Sequence, residues 1–120
     1  MTVMGYHSVE GVQSFETVSW TEVATKTVSL HATGNFIHVS AEYGGTVVNR
    51  EVGIRVLLDG VERSFDYHTP TLANQYRKLC DFGIYEPATT GDHIVSLEVR
   101  AISSGQTVNV RRIRLMIMQV

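Results

Sequence analysis

The sequence is poor in the residues that staple, break or strongly charge a chain. Among its 120 residues there is one cysteine, so no internal disulfide can form and no structural zinc site can be built from thiolates alone. There are two prolines, and charged residues make up only 18% with neither sign in clear excess: ten Lys+Arg against twelve Asp+Glu, for a net charge of -2. A dedicated nucleic-acid binder needs a basic surplus for phosphate contacts, and none is present. No apolar run approaches the ~20 residues that cross a bilayer as a helix. The first residues, Met1 to His7, lack a basic stretch followed by an apolar one, so no signal peptide is expected. Helical periodicity is missing too, because no long segment carries an unbroken i, i+3, i+4, i+7 stripe.

What is present is a period of two. Ile37, Val39, Ala41 and Tyr43 alternate with His38, Ser40 and Glu42, and Val95, Leu97, Val99 and Ala101 alternate with Ser96, Glu98 and Arg100. Turn residues separate such runs at short intervals: Thr33-Gly34-Asn35, Gly44-Gly45-Thr46, Thr89-Thr90-Gly91-Asp92, Ser103-Ser104-Gly105-Gln106, and the hairpin dipeptide Asp59-Gly60. These features predict an all-β chain, an antiparallel β-sandwich of jelly-roll type with about eight strands, as a single domain over residues 1–120. Met1–Gly11 reads either as an extended arm or as a first strand, and Thr69–Asp81 either as a long loop with one helical turn or as a loop leading to a strand through Phe82–Tyr85. The last run changes parity: Val108 and Val110 are even, Ile113, Leu115 and Ile117 odd. A β-bulge at Arg111-Arg112 reconciles them. Arg112, Arg114, Met116 and Met118 then face away from the core, and two outward methionines suit a self-association or capsid contact.

No reactive constellation stands out. The histidines His7, His31, His38, His68 and His93 lack the H-x-H or H-x3-H pair that anchors many metal sites, so no metal or other cofactor is expected. Asp66 and His68 share a strand face and supply at most half a site. Cys80 has no catalytic signature around it and reads as a buried, inert thiol. Without a nucleophile motif, a phosphate loop or a distinct carboxylate pair, the chain reads as a non-enzyme. A sugar site would need flat rings beside amide or acidic groups, for which Trp20, Tyr76 and Asn109 are the candidates.

The stretch Val52-Gly53-Ile54-Arg55-Val56-Leu57-Leu58-Asp59-Gly60, the strand from Gly91 to Arg100, and the closing Val108-Asn109-Val110-Arg111-Arg112-Ile113-Arg114-Leu115 together resemble small jelly-roll proteins of tailed-bacteriophage virions. The match runs from Ser40 to the C-terminus, about two-thirds of the chain. It implies an accessory virion protein made in the host cytoplasm, a capsid decoration or minor capsid protein. Such a protein binds the major capsid or other virion proteins and forms a homo-oligomer, a trimer by preference, with no nucleic-acid or membrane partner. The same pattern also resembles β-sandwich carbohydrate-binding modules, which implies the alternative of a glycan- or receptor-binding module. There Asn109 matches an asparagine of the last loop, and Tyr76 stands where the family carries tryptophan.

Overall fold

Alternation of buried and exposed residues builds two antiparallel sheets, as seen in a computed structural model that describes residues 2–30, 34–85 and 89–119. Nine strands follow one another: β1 (Thr2–Val9), β2 (Gln13–Phe15), β3 (Thr21–Leu30), β4 (Asn35–Gly45), β5 (Val52–Leu58), β6 (Val61–His68), β7 (Gln75–Tyr85), β8 (Gly91–Ala101) and β9 (Val108–Gln119). One sheet has the order β1-β9-β4-β7, with the short β2 also paired to β9; the other has the order β3-β8-β5-β6. With β1 and β2 taken as one interrupted strand, this is the interleaved connectivity of a jelly roll. The two sheets are called the β9 sheet and the β8 sheet below.

The core lies between them. Ile37, Val39, Ala41 and Tyr43 of β4 and Ile113, Leu115 and Ile117 of β9 meet Val52, Ile54 and Val56 of β5 and Val95, Leu97 and Val99 of β8, all of them buried. Each such aliphatic side chain contributes about 1.5–3 kcal/mol when taken fully out of water. The parity change in β9 is resolved at Arg112. Ser40 pairs with Arg114 while Glu42 pairs with Arg111, so one residue of β9 is extra, and Arg112 takes a φ of 51°. The bulge brings two guanidiniums to one carboxylate: Arg111 lies 3.2 Å and Arg112 2.9 Å from Glu42. Burial pushes the Glu42 carboxyl up, but Arg112 and then Arg111 outweigh that and hold it below its ordinary range. The Asp59-Gly60 hairpin has both residues at positive φ, 51° and 79°, as a two-residue turn of this type requires.

Residues 2–9, read from sequence as arm or strand, pair with β9 along their length. The region expected as a loop to Asp81 is a strand from Gln75 onward, paired with β4 from Gly45 to Asn35. Its alternation is concealed because the inner positions on either side of the buried Leu79, Arg77 and Asp81, are charged. Asp81 meets Arg63 of β6 at 2.9 Å, and Arg77 meets Asp66 of β6 at 3.1 Å. These two ion pairs of opposite polarity close the open side of the sandwich, where apolar residues would otherwise be expected.

Candidate functional site

The three residues read from sequence as a sugar site do not converge. Tyr76 and Asn109, expected in loops, belong to strands β7 and β9 and flank Gly44 in one cross-strand row on the outside of the β9 sheet. Asn109 is buried, its Oδ1 accepting from the Ser14 hydroxyl at 2.7 Å. The Tyr76 ring is covered by the Arg111 guanidinium 3.7 Å from its centroid. Hydrogen-bonding capacity and ring face are thus already used within the chain. Trp20 sits on the opposite sheet.

There Trp20 has company that single-sequence reading overlooked. It enters just before β3 and reaches across β8, so that its Cη2 lies 3.3 Å from where a Cβ on Gly53 of β5 would be. Gly53 pairs with Arg100 on one side and Tyr67 on the other, and Arg55 pairs with Glu98 and with Phe65. Three strands and the residue that leads into β3 therefore present two adjacent rows: Trp20, Arg100, Gly53 and Tyr67 in one, Glu98, Arg55 and Phe65 in the next. A Cβ at Gly53 would stand 2.8 Å from the Tyr67 ring, so the glycine leaves the hollow into which both rings settle. Phe65, 59% exposed, packs tilted against Tyr67 with ring centroids 5.6 Å apart. The guanidiniums of Arg55 and Arg100 lie 4.5 and 4.8 Å from the Trp20 centroid. Arg55 is neutralised by Glu98 at 2.6 Å and by Glu62 at 3.6 Å. The result is an aromatic pair, Phe65 and Tyr67, beside a Trp20 ring covered by two guanidiniums, with the carboxylates of Glu98 and Glu62 next to them.

The signal for this site was in the sequence. Phe65 and Tyr67 are two apart, after the Asp-Gly turn, and so share a face. The inner residues of the same strand, Ser64, Asp66 and His68, are polar, which inverts the usual pattern and hides which face is which. Asp66 accepts from the buried Tyr43 hydroxyl at 2.5 Å. Burial, then that hydrogen bond to a carboxylate, pushes the Tyr43 phenol far above its ordinary range, so it stays protonated.

The residues read as an association face occupy the outside of the β9 sheet. Met116 pairs with Tyr6 and His38, and Met118 with Phe36; both are half-buried by their neighbours. Phe82 and Ile84 of β7 extend these rows and are 60% and 57% exposed, and Phe82 stacks on Phe36 at 5.3 Å. Arg112 and Arg114 lie at the other end of the face, engaged with Glu42 and with Glu10, the latter at 3.2 Å. Cys80 is exposed, not buried, because it has the outward parity of Lys78 and Phe82; its Sγ is 3.4 Å from His38 Nε2. Among the described residues no group of three or more His, Cys, Asp or Glu side chains could hold a metal ion, and His31 lies outside them. A separate cleft of about 330 Å³ at the loop end, lined by residues that include Glu16, Val18, Ser103 and Gln106, has no aromatic wall.

No protein-family model and no curated protein matches the sequence. Solved structures do match in fold. The C-terminal domain of EclA, described as a sugar-binding protein, aligns with a TM-score of 0.54 at 14% identity, over 88% of this chain and 77% of that one. The CBM36-1 domain of a multidomain xylanase from the hindgut metagenome of Trinervitermes trinervoides aligns at 0.53 and 10% identity, over 92% and 96%. The insecticidal delta-endotoxin Cry8Ea1 of Bacillus thuringiensis aligns at 0.57 and 13% identity over 90% of this chain, which spans 20% of the toxin's length. The shared feature is the two-sheet antiparallel sandwich, seen in carbohydrate-binding domains among others.

Proposed function

We propose that this chain is a carbohydrate-binding β-sandwich module whose ligand lies on the Phe65 and Tyr67 rings on the outside of the β8 sheet, beside Trp20. The observation that supports it is this pair of adjacent rings, Phe65 exposed and packed on Tyr67, next to the guanidiniums of Arg55 and Arg100 that cover Trp20 and the carboxylates of Glu98 and Glu62. Pyranose rings present apolar C–H faces and a rim of hydroxyls, and such a surface offers a partner to each. Phe65, Tyr67, Arg55, Glu98 and Arg100 all stand on strands, so little ordering opposes binding. Gel-retardation and calorimetric titration against a panel of soluble polysaccharides test the reading. Retention by at least one glycan, weakened tenfold or more by Phe65→Ala with an unchanged far-UV spectrum, is expected. Failure of every glycan at millimolar concentration would overturn it.

A second reading is favoured by the apolar end of the opposite face: the chain assembles with copies of itself through Tyr6, Phe36, Phe82, Ile84, Met116 and Met118. The rim of this patch carries both signs, Glu10 and Glu42 beside Arg112, Arg114 and Lys78, which fits a second copy better than a partner of one charge. On that reading the module is a building block of a larger assembly, as the virion proteins it resembles are. The two readings use different faces and can both hold.

A further inference from the structure

The charges bordering the aromatic surface are not equally satisfied. Arg55 has two carboxylates, Glu98 and Glu62, and Arg111, Arg112 and Arg114 on the other sheet are each paired as well. Arg100 is different. No carboxylate of the described residues pairs with it; its one side-chain hydrogen bond is to the Tyr67 hydroxyl at a long 3.5 Å, and its Nε is buried without a partner. Its cationic end lies over the Trp20 ring and beside the Tyr67 hydroxyl instead. A guanidinium has five N–H donors in a planar fork that matches a carboxylate, and partly removed from water it gains most from an anion. Leaving it unpaired is costly to the free protein. A neutral sugar could offer it only hydroxyls.

We infer that the ligand of this surface is an acidic glycan, with a hexuronate carboxylate on Arg100 while the sugar ring lies on Tyr67 and Phe65. The inference rests on the carbohydrate-binding reading and adds the charge of the ligand to it. Glu98 and Glu62 share the single guanidinium of Arg55, so one carboxylate charge remains beside the site, and the ligand's carboxylate is expected on the Trp20–Tyr67 side of Arg100, in the row that Glu98 does not occupy.

The test separates charge from sugar shape. The folded chain is titrated with polygalacturonate, polyglucuronate and polymannuronate, and with the methyl ester of each, which keeps the backbone and removes the charge. At least one acid is expected to bind tenfold or more tightly than its ester, with the preference shrinking at 1 M salt. Arg100→Gln is expected to abolish the preference, so that acid and ester bind alike, and Arg100→Lys to keep part of it. Melting curves of both variants check that the fold is intact. Equal affinity for every acid and its ester, or a preference that Arg100→Gln leaves unchanged, overturns the inference even where glycans bind. If neither the acids nor a panel of neutral glycans bind, the carbohydrate reading fails and the inference with it.

Discussion

The two outer faces of the sandwich are built by the same alternation, yet they dispose of their polar groups in opposite ways. On the β9 sheet Arg111 and Arg112 share Glu42 and Arg114 pairs with Glu10, and beyond these ion pairs stands exposed apolar area around Phe82 and Ile84. On the β8 sheet the rings are bordered by polar groups, and Arg100 among them lacks a counter-ion. A face with surplus apolar area and closed ion pairs suits a surface of like kind. A face with rings and an unpaired donor suits a small polar ligand. Which residues are outward matters less to this distinction than which of them already have partners.

Both faces are lost together when Arg112 is removed. With the bulge residue deleted, Val108 and Val110 can face inward only if Ile113, Leu115 and Ile117 turn out, because period two admits no compromise. Three buried aliphatic side chains would be exposed, a loss of several kcal/mol and of the order of a whole domain's stability. The expected outcome is a chain without a cooperative melting transition. A folded deletion variant would mean the register is set elsewhere. Arg112→Gly is the control: it accepts the positive φ, keeps the residue count, and should fold while giving up only the ion pair with Glu42.

A smaller change should separate the two faces. Phe82→Asp places a charge in the apolar end of the β9 sheet and touches nothing on the β8 sheet. Light scattering across a concentration range is expected to show oligomers of the native chain, a trimer by the virion resemblance, and monomers of the variant. Glycan binding should remain within about twofold. Native chain that stays monomeric at all concentrations would remove the self-association reading and leave the aromatic face standing.

Much of this architecture was legible in the residues alone. The alternation in β4 and β8, the Asp59-Gly60 turn and the bulge at Arg112 all follow from period two, because each has an apolar core on its inner side. Legibility failed where the inner side is not apolar. β7 hid behind the inward Arg77 and Asp81, and the ring pair Phe65/Tyr67 hid behind the inward Ser64, Asp66 and His68. The candidate trio failed for another reason. Trp20 lies on one sheet and Tyr76 and Asn109 on the other, and strand order between sheets is not written in local pattern. Nor is occupancy: Asn109 and Tyr76 have suitable chemistry, but Ser14 and Arg111 already use it.

The smallest expected effect concerns neither face but the hairpin end that carries one edge of the β8 sheet. His93 Nδ1 lies 2.6 Å from Asp59 Oδ2, and its Nε2 lies 2.7 Å from the Thr89 carbonyl. Both ring nitrogens thus meet acceptors only, so the arrangement is complete when the imidazole carries two protons. The hydrogen bond to Asp59, then that to Thr89, raises the His93 pKa above its ordinary 6.5 against the cost of burial. Burial pushes Asp59 up, but the Ile94 N–H and His93 outweigh it and hold its carboxyl below 3.8. The histidine's contribution is therefore fully present below pH 6.5 and fades as pH rises through its raised value. The aspartate's is present above 3.8 and fades as pH falls through its lowered one. Melting temperature should be highest between these limits and decline by a few degrees toward pH 9, consistent with about 1–2 kcal/mol for hydrogen bonds of this kind. His93→Gln, which can donate one hydrogen bond but not carry charge, should flatten the alkaline decline and weaken Asp59's share of the acid limb, leaving the share set by other carboxylates such as Glu42. A native chain whose melting temperature is level from pH 6 to 9 would show that the imidazole is neutral and that one of its two contacts is not a hydrogen bond in solution.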